Sequence, residues 1–340
     1  MSLVSSRPLL YAAIGLSLAV SGASAAAQPA HDAPAFVQAV SENDNYVFSG
    51  DRHYTNGWRA AYGFAKGGHP DWLAWWGRLT PLDDRPADRD YNLALAQHMF
   101  TPERFFVEAP QPEDRPFAGW LHGDLTVTTH GPGVEESLVL SLGVVGPWAL
   151  AAEAQDFAHA LSGAREPEGW SNQLRNEPAL LLSYRRSLFQ RLARWDGVEL
   201  DIVPRAGASV GTVAVEGGLG TLFRLGSFLP ERDVPFRMMT SLAGNSSRFD
   251  HRGRFDWMIF IGAQGRAVGH DIFLDGNLFR DSQSVDRKPF VWEGELGVAL
   301  TLGNFPWPMQ MAFTHVWRGR EFRGQVGQNR LGAITVTAAF

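Results

Sequence analysis

Cysteine is absent from the 340 residues. That excludes thiol catalysis, thiolate metal sites and disulfides together. Long apolar runs are also missing. Beyond the first residues no stretch reaches the roughly 18 apolar residues of a membrane helix. Blocks of like charge are missing too. The formal net charge is −6 with both signs interspersed, so a nucleic-acid partner has no electrostatic support. The catalytic signatures are thin. No H-E-x-x-H zinc motif occurs, and no G-x-S-x-G is read at a strand-to-helix turn.

What is present starts with an export signal. Arg7, the apolar stretch Leu9 to Val20 and Ala25-Ala26-Ala27 before Gln28 read as a signal peptide over 1–27. The alternative is an N-terminal anchor. The mature chain, 28–340, is then rich in Trp, Phe and Gly, which directs attention to the closed sheet as the other spanning architecture.

Alternation is the main signal in that region. Leu138, Leu140, Leu142 and Val144 share one parity, with Ser137 and Ser141 on the other. Phe290, Trp292, Leu296, Val298 and Leu300 alternate with Glu293, Glu295 and Thr301. Period two with unlike faces describes a strand between two solvents. A soluble sandwich would alternate as well, but these strands reach about nine or more residues, as a tilted barrel wall requires. The last segment alternates up to Phe340, a terminal aromatic of the kind read by the outer-membrane assembly machinery. The expected fold is all-β: a transmembrane antiparallel barrel of about 12 strands in the outer membrane of a Gram-negative bacterium. The strands are expected near 35–44, 54–65, 91–100, 118–129, 135–145, 177–189, 197–210, 213–225, 254–268, 287–302, 308–318 and 331–340.

Three connections stand out. Trp72, Leu73, Trp75, Trp76 and Leu79 suggest a short interfacial helix. The stretch 226–253 is long for a turn, and Arg237 to Leu242 reads as a possible further strand. Between Pro147 and Leu161 the pattern turns helical, with Leu150, Ala154, Phe157, Ala158 and Leu161 at helical spacing.

Two groups could carry chemistry. Glu42-Asn43-Asp44-Asn45 and Asp51 through Gly57 gather oxygen ligands at the end of the first hairpin. A plain solvated turn has the same composition. On the loop helix, Gln155 and His159 lie four apart and project from one face. Histidine suits a general base near neutral pH, although an exposed histidine without a role fits the same residues. Together the groups suit hydrolysis of a lipid ester, with a histidine base and a hard cation on carboxylate and amide oxygens.

At these residues the sequence resembles the outer-membrane lipid A 3′-O-deacylases, the LpxR family. The marks are Glu42-Asn43-Asp44, Asp51 through Gly57, and Gly146-Pro147 with Gln155 and His159. Gly169-Trp170, Asn176-Glu177-Pro178, Phe273 through Asn277 and Phe279 through Ser282 follow in order. The resemblance covers nearly the whole mature chain. It implies a twelve-stranded barrel that removes the 3′-acyloxyacyl chain from lipid A of lipopolysaccharide, with Ca²⁺. It implies His159 as base, Asn43 and Asp44 at the metal or oxyanion, and Thr55 and Gln155 as supporting groups. Glu166 is the acidic residue it offers as a second metal ligand. Two other functions fit the same reading: a phospholipase acting on glycerophospholipids in that leaflet, or a non-enzymatic pore. Arg52, Arg104, Arg175 and Arg280 favour a phosphorylated glycolipid. Inward Glu199, Asp201, Glu293, Glu295 and Arg185 would plug a narrow lumen.

Overall fold

The alternating segments pair, each with its chain neighbour, until the sheet closes on itself. The computed structural model describes residues 34–47, 53–81, 88–163, 165–235, 237–238, 248–303 and 305–340. The expected signal peptide lies outside them, as do Asp51 and Arg52.

The strands are β1 (Phe36–Asn43), β2 (His53–Gly63), β3 (Asp88–Thr101), β4 (Ala118–Gly131), β5 (Val134–Val145), β6 (Glu177–Leu188) and β7 (Gln190–Trp195). They continue as β8 (Val198–Gly211), β9 (Ala214–Gly226), β10 (Phe255–Asp271), β11 (Phe290–Leu302), β12 (Met309–Arg318) and β13 (Asn329–Ala339). β6 and β7 both pair with β8 on either side of Phe189, so they form one stave. The wall is therefore a closed antiparallel barrel of twelve staves, sealed by β1 against β13 with Phe36 opposite Ala339. The end carrying that pair is called proximal here; the end with Asn43 is distal. All twelve expected strands form, with boundaries shifted by a few residues.

The parity of each strand sorts its side chains between two surroundings. Outward positions of β11 are exposed and apolar: Phe290, Trp292, Leu296, Val298 and Leu300. Inward Glu293 and Glu295 are buried, as are Glu199, Asp201 and Arg185. In a lipid-spanning barrel the exposed apolar face meets hydrocarbon and polar groups turn inward. The buried charges are paired. Arg318 Nη2 donates to Glu293 at 2.6 Å, and Arg224 binds Asp201 at 2.6 and 2.9 Å. Arg59 donates to Gln38, Asn92 and Asp124.

The stretch after β9 is a plug. Its described part forms no strand, and 239–242 lie outside the described residues. The chain enters the lumen from the proximal end, where Leu229 N donates to Glu199. Arg232 binds Asp90 and Asp250, Asp233 faces Arg185 and Arg205, and Arg237 binds Glu293. Arg248 returns to Asp90. At the distal mouth, α3 (Ile272–Asp275) packs Ile272 and Phe273 against Tyr54, Phe100 and Trp120. Between plug and cap a cavity of about 110 Å³ remains.

Two further helices lie on the outer wall. α1 (Asp71–Gly77) buries Leu73 and Trp76 against Tyr91, Val127 and Leu138, with Trp72 and Trp75 exposed. This is the expected interfacial helix. α2 (Ala151–Ser162) lies at the distal end over β3 and β4.

Candidate active site on the outer wall

α2 is assembled differently from its sequence pattern. Pro147 opens a 3-10 turn, Pro147–Ala149, not the α-helix. Leu150 then takes a left-handed conformation (φ 56°) and the α-helix begins at Ala151. The chain turns there because Gly146, at φ 103°, passes so near the Arg175–Asn176 backbone that a Cβ would clash. As a result the large side chains Leu150 and Phe157 of the apolar stripe do not face the protein, while Ala154 packs on the wall contact. Leu150 is 53 % exposed and Phe157 68 %, while Ala151, Gln155 and His159 are 1, 3 and 7 % exposed. The residues at steps of four that pack on the wall include the two polar ones. Lipid outside the barrel explains the inversion: apolar side chains turn outward to hydrocarbon.

Close approach of α2 depends on Gly119. A Cβ there would lie 2.5 Å from that of Ala151. Met99, Phe117, Ala151 and Trp170 form the apolar contact between helix and wall. The preceding turn is tied down by Gln97, whose Nε2 donates to the Ala149 carbonyl at 2.6 Å while its Oε1 accepts from Trp58 Nε1 at 2.8 Å.

His159 is held in one tautomer. Its Nδ1 lies 2.6 Å from the Arg165 carbonyl, which only accepts, so Nδ1 carries the proton and Nε2 is the basic nitrogen. Phe105 meets the ring edge-on at 6.1 Å. Glu168 N donates to the Phe105 carbonyl, and Arg165 stacks on Phe106 at 3.9 Å. Loop 102–117 thus roofs the histidine. One turn earlier, Gln155 Oε1 accepts from Trp170 Nε1 at 2.8 Å. That bond fixes the amide, and Gln155 Nε2 is left as a buried donor with no hydrogen-bond acceptor among the described residues.

The first hairpin supplies the other group. Asn43 is the last residue of β1 and pairs with Asn56, which pairs with Met99 of the helix contact. Asn43 caps the turn Asp44–Tyr46, its Oδ1 accepting from Asn45 N at 2.6 Å. Asp44 is buried. β2 bulges between Tyr54 and Asn56. Continuing the register one step sets Asp44 beside Thr55, whose buried hydroxyl bonds Thr101 Oγ1 at 2.7 Å. His53, just before the bulge, is buried at φ 67°, a strained backbone for a non-glycine residue. Such strain clusters at functional sites.

Asn43, Asn56 and Met99 form one continuous row, and Met99 joins it to Ala151 and Trp170 under α2. Glu166 is exposed in the stretch after the helix. Arg104, Arg175 and Arg280 are exposed at the distal end. For a cation, the donor chemistry at Asp44 is oxygen only, which suits Ca²⁺. Asn43 spends its oxygen on the cap, and no cluster of three or more His, Asp or Glu that could hold a metal occurs among the described residues. Backbone oxygens and water would have to complete such a shell.

Sequence reading missed Trp58 and Gln97, and it gave His53, inside the Asp51 through Gly57 stretch, no role of its own. Gln97 carried a signal: it is polar on the outward parity of β3, between Leu95 and Met99. A polar group on the lipid side marks a covered position. The letters G-x-S-x-G do occur, at Gly207 to Gly211, but inside β8, where buried Ser209 bonds Ser183 at 2.9 Å. No strand-to-helix elbow forms there.

The chain matches the family model described as "Outer membrane protein LpxR" over residues 10–340. None of the curated proteins is a significant sequence relative. Among solved structures, LpxR from Salmonella typhimurium superposes with a TM-score of 0.70 at 21 % identity, covering 90 % of this chain and 100 % of that one. A bacterial polysaccharide outer membrane secretin aligns at 10 % identity and TM-score 0.38, covering 92 % of this chain and 100 % of that one. The β domain of the Bordetella autotransporter Brka aligns at 9 % and 0.41, covering 90 % and 99 %. The Salmonella likeness carries the fold, and the family model carries the kinship: the chain belongs to the LpxR family of outer-membrane proteins.

Proposed function

We propose that this protein is an outer-leaflet lipid A deacylase that hydrolyses the ester of the 3′-acyloxyacyl chain. The observation that carries the reading is the inverted helix: Gln155 and His159 are turned onto the barrel wall while Phe157 and Leu150 face out. An ester hydrolase for a membrane lipid needs such a polar seam at the level of the lipid ester.

His159 Nε2 would take a proton from water as the water oxygen attacks the acyl carbon. Gln155 Nε2, a buried donor, would hydrogen-bond the oxyanion that develops. As the acyl–oxygen bond breaks, the imidazolium would return the proton to the sugar oxygen. Thr55 would orient water or substrate from the bulge. Asp44, with oxygens of its turn, would hold Ca²⁺; when bound, that ion supplies Lewis-acid stabilisation of the developing negative charge. Glu166, exposed in the stretch after the helix, would be a further carboxylate for it. The filled lumen speaks against a pore.

The test is mass spectrometry of lipid A and of a glycerophospholipid after incubation with purified protein, with and without a calcium chelator. Loss of the 3′ chain from lipid A alone, abolished by chelation, is expected. Release of fatty acid only from the glycerophospholipid would instead support the phospholipase reading.

A further inference from the structure

The plug reaches the back of the candidate site. From Phe36 at the proximal rim to Glu42 is about 20 Å of strand, at roughly 3.3 Å per residue. The plug climbs that height, because Met238 N donates to Glu42 Oε1 at 2.6 Å. Glu42 is fully buried and points into the lumen from the residue before Asn43. Its carboxylate also hydrogen-bonds the Tyr54 hydroxyl and faces Arg237. Tyr54 is the residue before Thr55, on the inner side of the bulge. Glu42 therefore joins both arms of the first hairpin to Met238 of the plug. On the outer face of β1 stands Asn43, with Asp44 next to it in the turn, and Thr55 bonds Thr101, which shares the parity of Met99.

We propose that Arg237 and Met238 of the plug, together with Glu42, form a positioning element for the Asn43–Asp44 and Thr55 side of the site. Glu42 touches no substrate. It acts through the backbone of β1 and through Tyr54, fixing where the outward groups stand. A displacement near 1 Å at reacting groups can cost about 100-fold in rate, so a buried latch on the inner face has leverage over chemistry on the outer face. The inference rests on the deacylase reading given above.

The experiment compares wild-type protein with Glu42→Ala, Glu42→Gln, Met238→Pro and Arg252→Gln. Each is first checked for the assembled barrel by heat-modifiable migration on gels. kcat and KM for lipid A are then measured per assembled barrel. Glu42→Ala and Met238→Pro are expected to lower kcat about 10- to 100-fold with little change in KM. Glu42→Gln, which keeps an acceptor for Met238 N–H, should recover most of kcat. Arg252→Gln, which loosens the plug at its proximal contacts to Glu199 and Phe228, should leave kcat unchanged. If all four assemble and differ only in unfolding temperature, with kcat equal to wild type, Glu42 is merely lumen filling and the proposal is overturned. It is equally overturned if Glu42→Gln is as impaired as Glu42→Ala. An inactive wild-type protein would instead sink the deacylase reading, so the two failures are separable.

Discussion

The lumen and the seam beneath α2 both bury polar side chains, yet they satisfy them in opposite ways. In the lumen, charge meets charge: Arg318 with Glu293, Arg224 with Asp201, Arg205 with Glu295. In the seam the bonds are mostly neutral and one donor is unspent. His159 leans on a backbone carbonyl, Thr55 on Thr101, and Gln155 offers its amide nitrogen to no acceptor among the described residues. Atoms without a hydrogen bond remain in the lumen too, Arg205 Nε and His122 Nε2 among them, but they belong to groups already held by ion pairs. In the seam the unspent donor is neutral and lies one helical turn from an oriented imidazole. An unspent atom alone therefore does not mark a site; its place beside a positioned base does.

The sharpest break of that contrast is His159→Ala. General-base catalysis contributes about 10²- to 10⁴-fold, so deacylation should fall by up to about 10⁴-fold while the barrel still assembles. Lipid A mass spectra with undiminished 3′ deacylation would remove the histidine from the mechanism. Next is Asp44→Asn. It keeps the size of the side chain but discards the charge, and a loss of about 10²- to 10³-fold is expected. Added calcium should restore little of it, and a calcium titration of activity reads this directly.

Gly119→Val tests the seam from the wall side without touching a polar group. Its Cβ would collide with that of Ala151, lifting α2 and with it Gln155 and His159. Deacylation should drop up to about 100-fold. Overpacking of this kind costs about 1–3 kcal/mol, so the unfolding temperature should move little beside the loss of rate.

The strands were legible because parity reports two solvents, and Glu293 with Glu295 opposite Trp292 leaves no ambiguity about which side is which. The plug was not legible. Arg232, Arg237 and Arg248 sit in an aperiodic stretch, and their partners in the wall lie far off in β3 and β11. No local pattern encodes such pairing. α2 was half legible. Its apolar stripe could be seen, and Gln155 and His159 could be placed on one face, but hydrophobic periodicity does not say whether the apolar side meets protein or lipid. Among the site residues, Asn43, Asp44, Gln155 and His159 came from motif and spacing. Gln97 was visible only to parity, and the strain at His53 only to backbone geometry.

The lumen side of the comparison is tested by Arg318→Met. It removes one of the two arginines from buried Glu293, which keeps Arg237 and the Gln264 amide, and it lacks the contact to Glu321. Breaking a buried pair by removing one partner costs about 3–5 kcal/mol. The expected result is a lower unfolding temperature with deacylation per assembled barrel at wild-type level. A large loss of rate at unchanged stability would mean that lumen charge contributes to the chemistry, and the contrast would fail.

The smallest effect on activity, and the cleanest on stability, is expected at Glu321 in the distal connection between β12 and β13. Burial raises its pKa, but Arg318, Arg115 and Arg266 outweigh that and hold it below the ordinary glutamate value. A carboxyl with a depressed folded pKa stabilises above its unfolded value, about 4.3. That stability is lost as pH falls through the folded value. Glu321→Gln should therefore unfold at a lower temperature than wild type at pH 7. The gap should begin to close below about pH 4, as the wild-type carboxylate takes up its proton and comes to resemble the amide. Thermal unfolding in detergent over that range reads the gap directly. A difference that stays constant down to the acid limit would mean that Glu321 works through the hydrogen bond its side chain accepts from Asn329 Nδ2 and not through charge. The distal mouth would then belong with the neutral seam under α2, and the line between the two regions would have to be drawn lower in the barrel.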